Sequence, residues 1–490
     1  MHKRVQLYFI SAMLCFQSFE SWAKDYPASL FNIYSDGITL NTRSIQFGID
    51  YINQQGGGRL VFDVGRYLTG SIHLKSNVTM HLMEGAVLLG VLNPLDYDRQ
   101  GFTALVLAKD QQNVAITGKG VIDGQGRQVA RNVAALVHEG LIKDAFRNDR
   151  PEVEIRPMLV YFRSCVNVLI RGVTMHNAAA WVQTYDQCKN LYVDSLTVDS
   201  RAFWNNDGID IVDCDSVAIT NSYIDAADDG ICLKSHDPKS VCQNILVRNC
   251  TIRSSANAIK FGTASLGGFR NIHIINNKVF NTYRSALALE AVDGGFIENV
   301  EADSLQVLNT GNAVFLRIGE RLNGKKGRLE NIRVSNVSAS IAPGKADSGY
   351  EYEGPVEDMP RNISPAIIIA GLPGAIIKGI SFKNIDIKHP GGGNPWFAKI
   401  SLDALDSVPE KPGAYPDFSM FHELPAWGIY IRHAEYVAFT NINLLCANKD
   451  YRTAIVLDDV HHSQFFLTDI RESGNKKGAF QHHSSDILYK

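Results

Sequence analysis

The chain has 490 residues, a formal net charge of −3, 20% charged and 45% hydrophobic residues. That is the balance of a soluble globular protein, and it excludes the basic surface that a nucleic-acid partner requires. A chain of this length makes two or three average domains unless it is built of repeats, which extend one core by adding coils.

The N-terminus carries His2-Lys3-Arg4, an apolar run from Val5 to Phe16, and Ser21-Trp22-Ala23 before Lys24. This is the order of an export signal, so residues 1–23 are expected to be a signal peptide and 24–490 a single domain that is periplasmic or secreted. No later stretch reaches the roughly 18 uninterrupted apolar residues of a membrane span. Cys15 follows Leu14 and does not suit lipidation. Seven cysteines would remain after cleavage, and an odd number forbids complete pairing within the chain. Buried, unbonded thiols are expected, and their spacing fits no zinc site.

Phe31 to Gly37 reads as an opening strand and turn. Asn41 is placed to cap a helix with Ile45, Ile49 and Ile52 on one face, which would cover an open solenoid end. Gly56-Gly57-Gly58 then breaks the chain, and Arg59–Asp63 and Thr79–Met83 read as the first strands. Three excursions interrupt the pattern: a charged, helical one over about 130–155, a second over 343–365, and a third from His389 to about Leu424. Long loops on a rigid scaffold shape clefts.

Five segments align as a ladder: Asp207-Gly-Ile-Asp-Ile, Asp229-Gly-Ile-Cys-Leu, Asn257-Ala-Ile-Lys-Phe, Ser285-Ala-Leu-Ala-Leu and Asn312-Ala-Val-Phe-Leu, starting 22, 28, 28 and 27 residues apart. Each begins with a polar residue and has apolar third and fifth positions, as a strand buried on one face requires. A second column of turn residues contains Asn167, Asn190, Ser216, Asn244, Asn271, Asn299 and Asn331. Leucine-rich and propeller signatures are absent, and the intervals are too short for helices. The expected fold is therefore all-β, a parallel β-helix with an N-terminal capping helix, in which residues of one column lie about 4.8 Å apart. The asparagines are expected to serve turn backbone and to hydrogen-bond along the stack.

That register brings Asp207, Asp228 and Asp229 together. Crowded carboxyls repel, so one should stay protonated as an acid while another remains a base, which is the equipment of glycoside hydrolysis. Acidic residues lining turns, a calcium site and a polysaccharide lyase using Lys260 or Arg317 remain open at this point, as does a non-catalytic glycan-binding β-helix.

The residues resemble those of the polygalacturonase-like glycoside hydrolases, family 28, from about Phe31 to Val337. Asn205-Asn206-Asp207-Gly208 is similar to the family's Asn-Thr-Asp-Gly, and Ala227-Asp228-Asp229-Gly230 to its Asp-Asp block. Gly118–Gly126 and Arg156–Asn177 are similar too. The resemblance implies a right-handed β-helix and inverting hydrolysis of a pectic glycan of the plant cell wall, without cofactor or metal, by a monomer. By position, Asp228 would protonate the leaving oxygen, Asp207 and Asp229 would activate water, and Asn205 would orient them.

Two departures bear on substrate. Asn257 stands where the family has His, and the family's Arg-Ile-Lys falls on Ala288-Leu289-Glu290. A charged Glu290 would repel a uronate, which favours a neutral or modified sugar unless Lys260 or Arg317 restores a cation. Glu290 can alternatively pair with Arg317 across coils. Trp181, Trp204 and Phe315 are candidate sugar-stacking faces, Trp204 first, and exo-action follows from the long loops. His433, His461-His462 and His482-His483 read as structural or solvated.

Overall fold

A computed structural model describes residues 24–145, 150–322, 324–347, 364–397, 400–472 and 478–489. The expected signal peptide and most of the second excursion lie outside them. The described chain forms two compact units, one running to Ala227 and the other beginning at Asp228. The fold is the parallel β-helix expected from the ladder, with the right hand that the family resemblance implies.

In the first unit, Phe102–Lys109, Met158–Arg163, Gln183–Asp186 and Ile209–Val212 pair in parallel, one strand per coil. Gln112–Gly118, Val166–Arg171, Lys189–Asp194 and Asp215–Thr220 make a second face. The inward side chains stack like on like: Val168, Leu191 and Val217 in one column, Ile170, Val193 and Ile219 in the next, all buried. Each contributes about 1.5–3 kcal/mol by leaving water.

In the second unit the strands lengthen, as in Gly268–Ala291, Phe296–Ile318 and Ala426–Cys446. They stay in register while turning corners at single left-handed residues. Asn271, Asn299 and Asn331 have φ of 56, 57 and 56°. Asparagine tolerates this region because its short amide bonds locally. Each amide also donates to the same atom of the preceding coil, Asn271 to Asn244 at 3.2 Å and Asn299 to Asn271 at 3.3 Å. In the first unit Asn190 donates to Asn167 at 3.0 Å and Asn167 to Asn113 at 2.9 Å. The turn role and the stacked ladder are thus one device.

The helix spans Thr42–Gln54 with Ile45, Ile49 and Ile52 buried. Asn41 precedes it but does not cap it. Its amide instead donates to Tyr34 and Thr39 carbonyls and accepts from the Tyr34 N–H, tying the opening turn together. In the first excursion an α-helix spans Gly126–His138 and a 3-10 turn spans Val153–Ile155. The seven described cysteines are buried and form no disulfide. Among the described residues no helix is long and apolar enough to cross a membrane.

Candidate active site

In the first unit, Asp207 ends a turn that a buried asparagine builds. The Asn206 side-chain oxygen accepts from Ser200 Oγ and from the Ala202 and Phe203 N–H groups, while its Nδ2 donates to the Ala178 and Ala180 carbonyls. Arg156, fully buried, anchors the same turn. It donates to the Pro151, Ala179 and Trp204 carbonyls at 3.1, 2.8 and 2.7 Å and to Asn205 Oδ1 at 2.7 Å. Asn205 therefore positions the turn, its φ of 55° aiming the chain into the Asp207 strand. Arg156→Ala would leave these acceptors unsatisfied in the core; a stability loss of about 3 kcal/mol is expected in urea titration, and an unchanged midpoint would contradict it.

In the second unit, Asp228 and Asp229 lie just ahead of the strand Ile231–Ser235, and the Asp229 N–H donates to Asp228 Oδ1 at 2.9 Å. Asp229 is 3% exposed. Its Oδ1 accepts from both the backbone and side-chain nitrogens of Asn257, at 3.0 and 2.9 Å, and its Oδ2 lies 3.0 Å from Lys260 Nζ. Burial alone would raise its pKa, but Lys260, Lys234, the Asn257 hydrogen bond and Arg284 outweigh that and hold it at about 2. Asp228 is the less buried member of the pair, partly exposed. Its pKa is raised, by burial first and the Asp229 charge second, against the pull of Arg284, Lys260 and Lys234. Adjacent carboxyls thus have opposite protonation preferences.

Asn257 holds Asp229 with one end of its amide and accepts from the Ser285 N–H with the other. It is a positioning residue, 2% exposed. Lys260 is likewise buried rather than solvated, because Tyr415 from the third excursion covers it, with its hydroxyl 2.9 Å from Nζ. Burial disfavours the Lys260 charge, yet Asp229, Tyr415 and Glu290 raise its pKa well above the ordinary value.

Glu290 lies opposite Arg317 in register but does not pair with it. Its carboxyl is fully buried, makes no hydrogen bond among the described residues and sits 3.9 Å from Lys260. Burial drives its pKa up to about 8 despite Lys260. The folded state therefore keeps a proton that the unfolded chain releases near 4.5, and the stability this contributes below that pH is lost as pH rises toward about 8. Glu290→Gln is expected to flatten that loss in melting curves taken across this window; a parallel pH dependence in both proteins would refute it.

Arg317, 1% exposed, spends its guanidinium on the carbonyls of Ala370, Gly371, Glu410 and Lys411. It is a clamp for the third excursion, not a substrate contact. That excursion lays Leu405, Val408, Phe418 and Phe421 over Ala288, Phe315, Ile368 and Tyr430, which buries Phe315 completely. The Trp204 ring, 7% exposed, is covered by the Arg150 guanidinium at 4.6 Å, and Trp181 packs on Phe102 at 5.3 Å. Phe315 and Trp204 are therefore buried, whereas Trp181 stays partly exposed.

Sequence reasoning missed Arg284, Lys234 and Tyr415. Arg284 directly precedes the ladder residue Ser285, and Lys234 shares strand parity with Cys232, so both were within reach of the pattern. Tyr415 lies in an irregular segment with no periodicity to reveal it.

A sequence profile described as glycosyl hydrolases family 28 matches residues 62–292, which includes both Asp motifs. A "Probable polygalacturonase" of Vitis vinifera is 25% identical over 403 residues, 74% of each chain. The matched region, residues 62–292, belongs to glycosyl hydrolases family 28. Two solved family structures share the fold. An exopolygalacturonase of Yersinia enterocolitica matches with TM-score 0.65 and 18% identity over 95% of this chain and 78% of that one. A hyperthermoactive exopolygalacturonase of Thermotoga maritima matches with TM-score 0.60 and 22% identity over 86% and 92%. As a family 28 member the protein is a glycoside hydrolase. The third excursion, with Tyr415, lies beyond the matched profile.

Proposed function

We propose that this family 28 enzyme hydrolyses pectic glycans of the plant cell wall by a single inverting displacement, as a monomer acting outside the cytoplasm. The observation that carries the chemistry is the contrast between the partly exposed Asp228, biased toward its acid form, and the buried Asp229, held as a carboxylate by Lys260 and Asn257. Asp228 donates a proton to the glycosidic oxygen, and Asp229 draws one from the attacking water. Asp207 joins as a second base on the strength of its motif and its place one repeat earlier in the sequence ladder.

A calcium-dependent lyase is the weaker reading, because the Lys260 ammonium takes the position on Asp229 that a calcium ion would need. The electrostatic case for a neutral sugar weakens as well. Glu290 is buried behind Lys260 and stays mostly neutral below about 8, so it does not repel a uronate. Arg284, partly exposed and acting electrostatically on Asp228, supports a uronate in the reacting position. Exo-action fits the third excursion, which covers the outward column from Ala288 to Tyr430 and leaves a polymer no path along that face.

The test is product analysis on polygalacturonate, rhamnogalacturonan oligomers and neutral pectic side chains, with anomeric configuration followed by NMR. Release of single uronate sugars with inversion is expected. Unsaturated, ultraviolet-absorbing products would reassign the enzyme as a lyase, and release of neutral sugar alone would reverse the uronate reading.

A further inference from the structure

The outward column that contains Glu290 and Arg317 continues through Ala370, Arg432 and Asp458 to His482 on the last coil. The third excursion runs along this column and is fastened to it repeatedly. Arg317 holds the Glu410 and Lys411 carbonyls, Arg432 donates to the Val408 carbonyl at 2.6 Å and to Glu410 at 2.9 Å, and His433 bonds Glu410 at 3.0 Å. At the far end the contact changes character. Asp406 Oδ1 lies 3.7 Å from His482 Nε2 and 3.3 Å from His483 Nε2, and neither distance belongs to a hydrogen bond among the described residues.

We propose that Asp406, His482 and His483 form a binding site for a divalent transition-metal ion of the zinc class, which clips the excursion to the C-terminal coil. Three independent features support it. The three ligand atoms lie within 4.8 Å of one another. Ligands at about 2.0–2.2 Å from a tetrahedral ion are separated by about 3.3–3.5 Å, close to the spacings found and longer than the 2.7–2.9 Å of a charge-assisted hydrogen bond.

Second, His482 is oriented from behind. Its Nδ1 is bonded to Asp458 Oδ1 at 2.9 Å, and Asp458 is itself fixed by Arg432 Nε at 3.1 Å and the Tyr430 hydroxyl at 3.3 Å. A carboxylate behind the ring directs the other nitrogen outward and raises its basicity as a ligand. Third, neighbours in a strand normally point to opposite faces. His483 follows the strand Ala479–His482 with a φ of 47°, and this left-handed corner brings the two rings together, 3.9 Å between centroids. The other histidine pair is different: His461 is bonded to Ser485 and Asp459, and His462 to Asp486.

Two imidazoles and one carboxylate suit zinc rather than calcium or magnesium. Asp406 and His483 are 77% and 65% exposed at their side chains, so water can complete the shell. The expectation of a solvated His482-His483 pair and of no metal ligands is replaced by this assignment.

The test is calorimetric titration of untagged, chelator-treated full-length protein with zinc chloride, alongside the Asp406→Asn and His483→Ala variants. Both positions are exposed, so folding is not at stake. One equivalent of zinc is expected to bind, to raise the melting temperature, and to slow protease cleavage within 409–416, with affinity at least tenfold weaker in each variant. Calcium should do none of this. Absence of zinc binding by the wild type, or binding of equal affinity in both variants, would overturn the proposal. The assay needs no turnover, so its outcome is separate from that of the glycan reading.

Discussion

Asp228→Asn is expected to lower kcat by about 10²–10⁴ while substrate binding stays near the wild-type level. The amide occupies the same volume and can still accept the Asp229 N–H, which donates to Asp228 Oδ1 at 2.9 Å, so the local fold is preserved. What disappears is the proton that burial and the Asp229 charge keep on this group above the usual carboxylate range. The alkaline limb of the pH–rate profile, set by loss of that proton, should vanish in the residual activity. Steady-state kinetics across pH on the pectic fragments that wild type cleaves would check this. A variant with wild-type kcat would remove Asp228 from the mechanism.

Lys260→Met should have the largest effect on stability. Lys260 is buried with Asp229 at 3.0 Å and Glu290 at 3.9 Å, so its removal leaves a buried carboxylate without its cation. Breaking such a pair costs about 3–5 kcal/mol. The sign with pH follows from Asp229, whose pKa is depressed to about 2. Its contribution is present in full above the unfolded carboxylate pKa and is lost as pH falls from there through about 2. Without Lys260 the pKa rises, so stability and the acid limb of activity should both fail at higher pH. Denaturant titrations from acid to neutral pH, paired with kinetics, would show it. Coincident curves for the two proteins would mean that Lys234, Asn257 and Arg284 suffice to hold the carboxylate.

Much of the architecture was written in local chemistry. The ladder from Asp207 to Asn312 and the turn column from Asn167 to Asn331 each depend on one residue type meeting one backbone requirement, and every member of the turn column has φ between 55 and 64°. The capping helix was legible for the same reason, since Ile45, Ile49 and Ile52 need one face. Asn41 shows the limit: its type announces a helix start, but competing carbonyls at Tyr34 and Thr39 took its amide.

The sequence by itself determined the repeat, the fold class and the pair Asp228-Asp229, because these follow from period, turn chemistry and adjacency along one strand. Only the tertiary structure decided which neighbour each charge keeps. Glu290 faced two cations at comparable register distance, and packing gave it Lys260 while the excursion claimed Arg317. The excursion has no period, so where it would lie, and hence the burial of Phe315 and the cover of Tyr415 over Lys260, was invisible in the sequence. Electrostatic strength inside a protein depends on burial and distance, and here both are set in part by the excursion, with Tyr415 lying 155 positions from Lys260 and Glu410 lying 93 from Arg317.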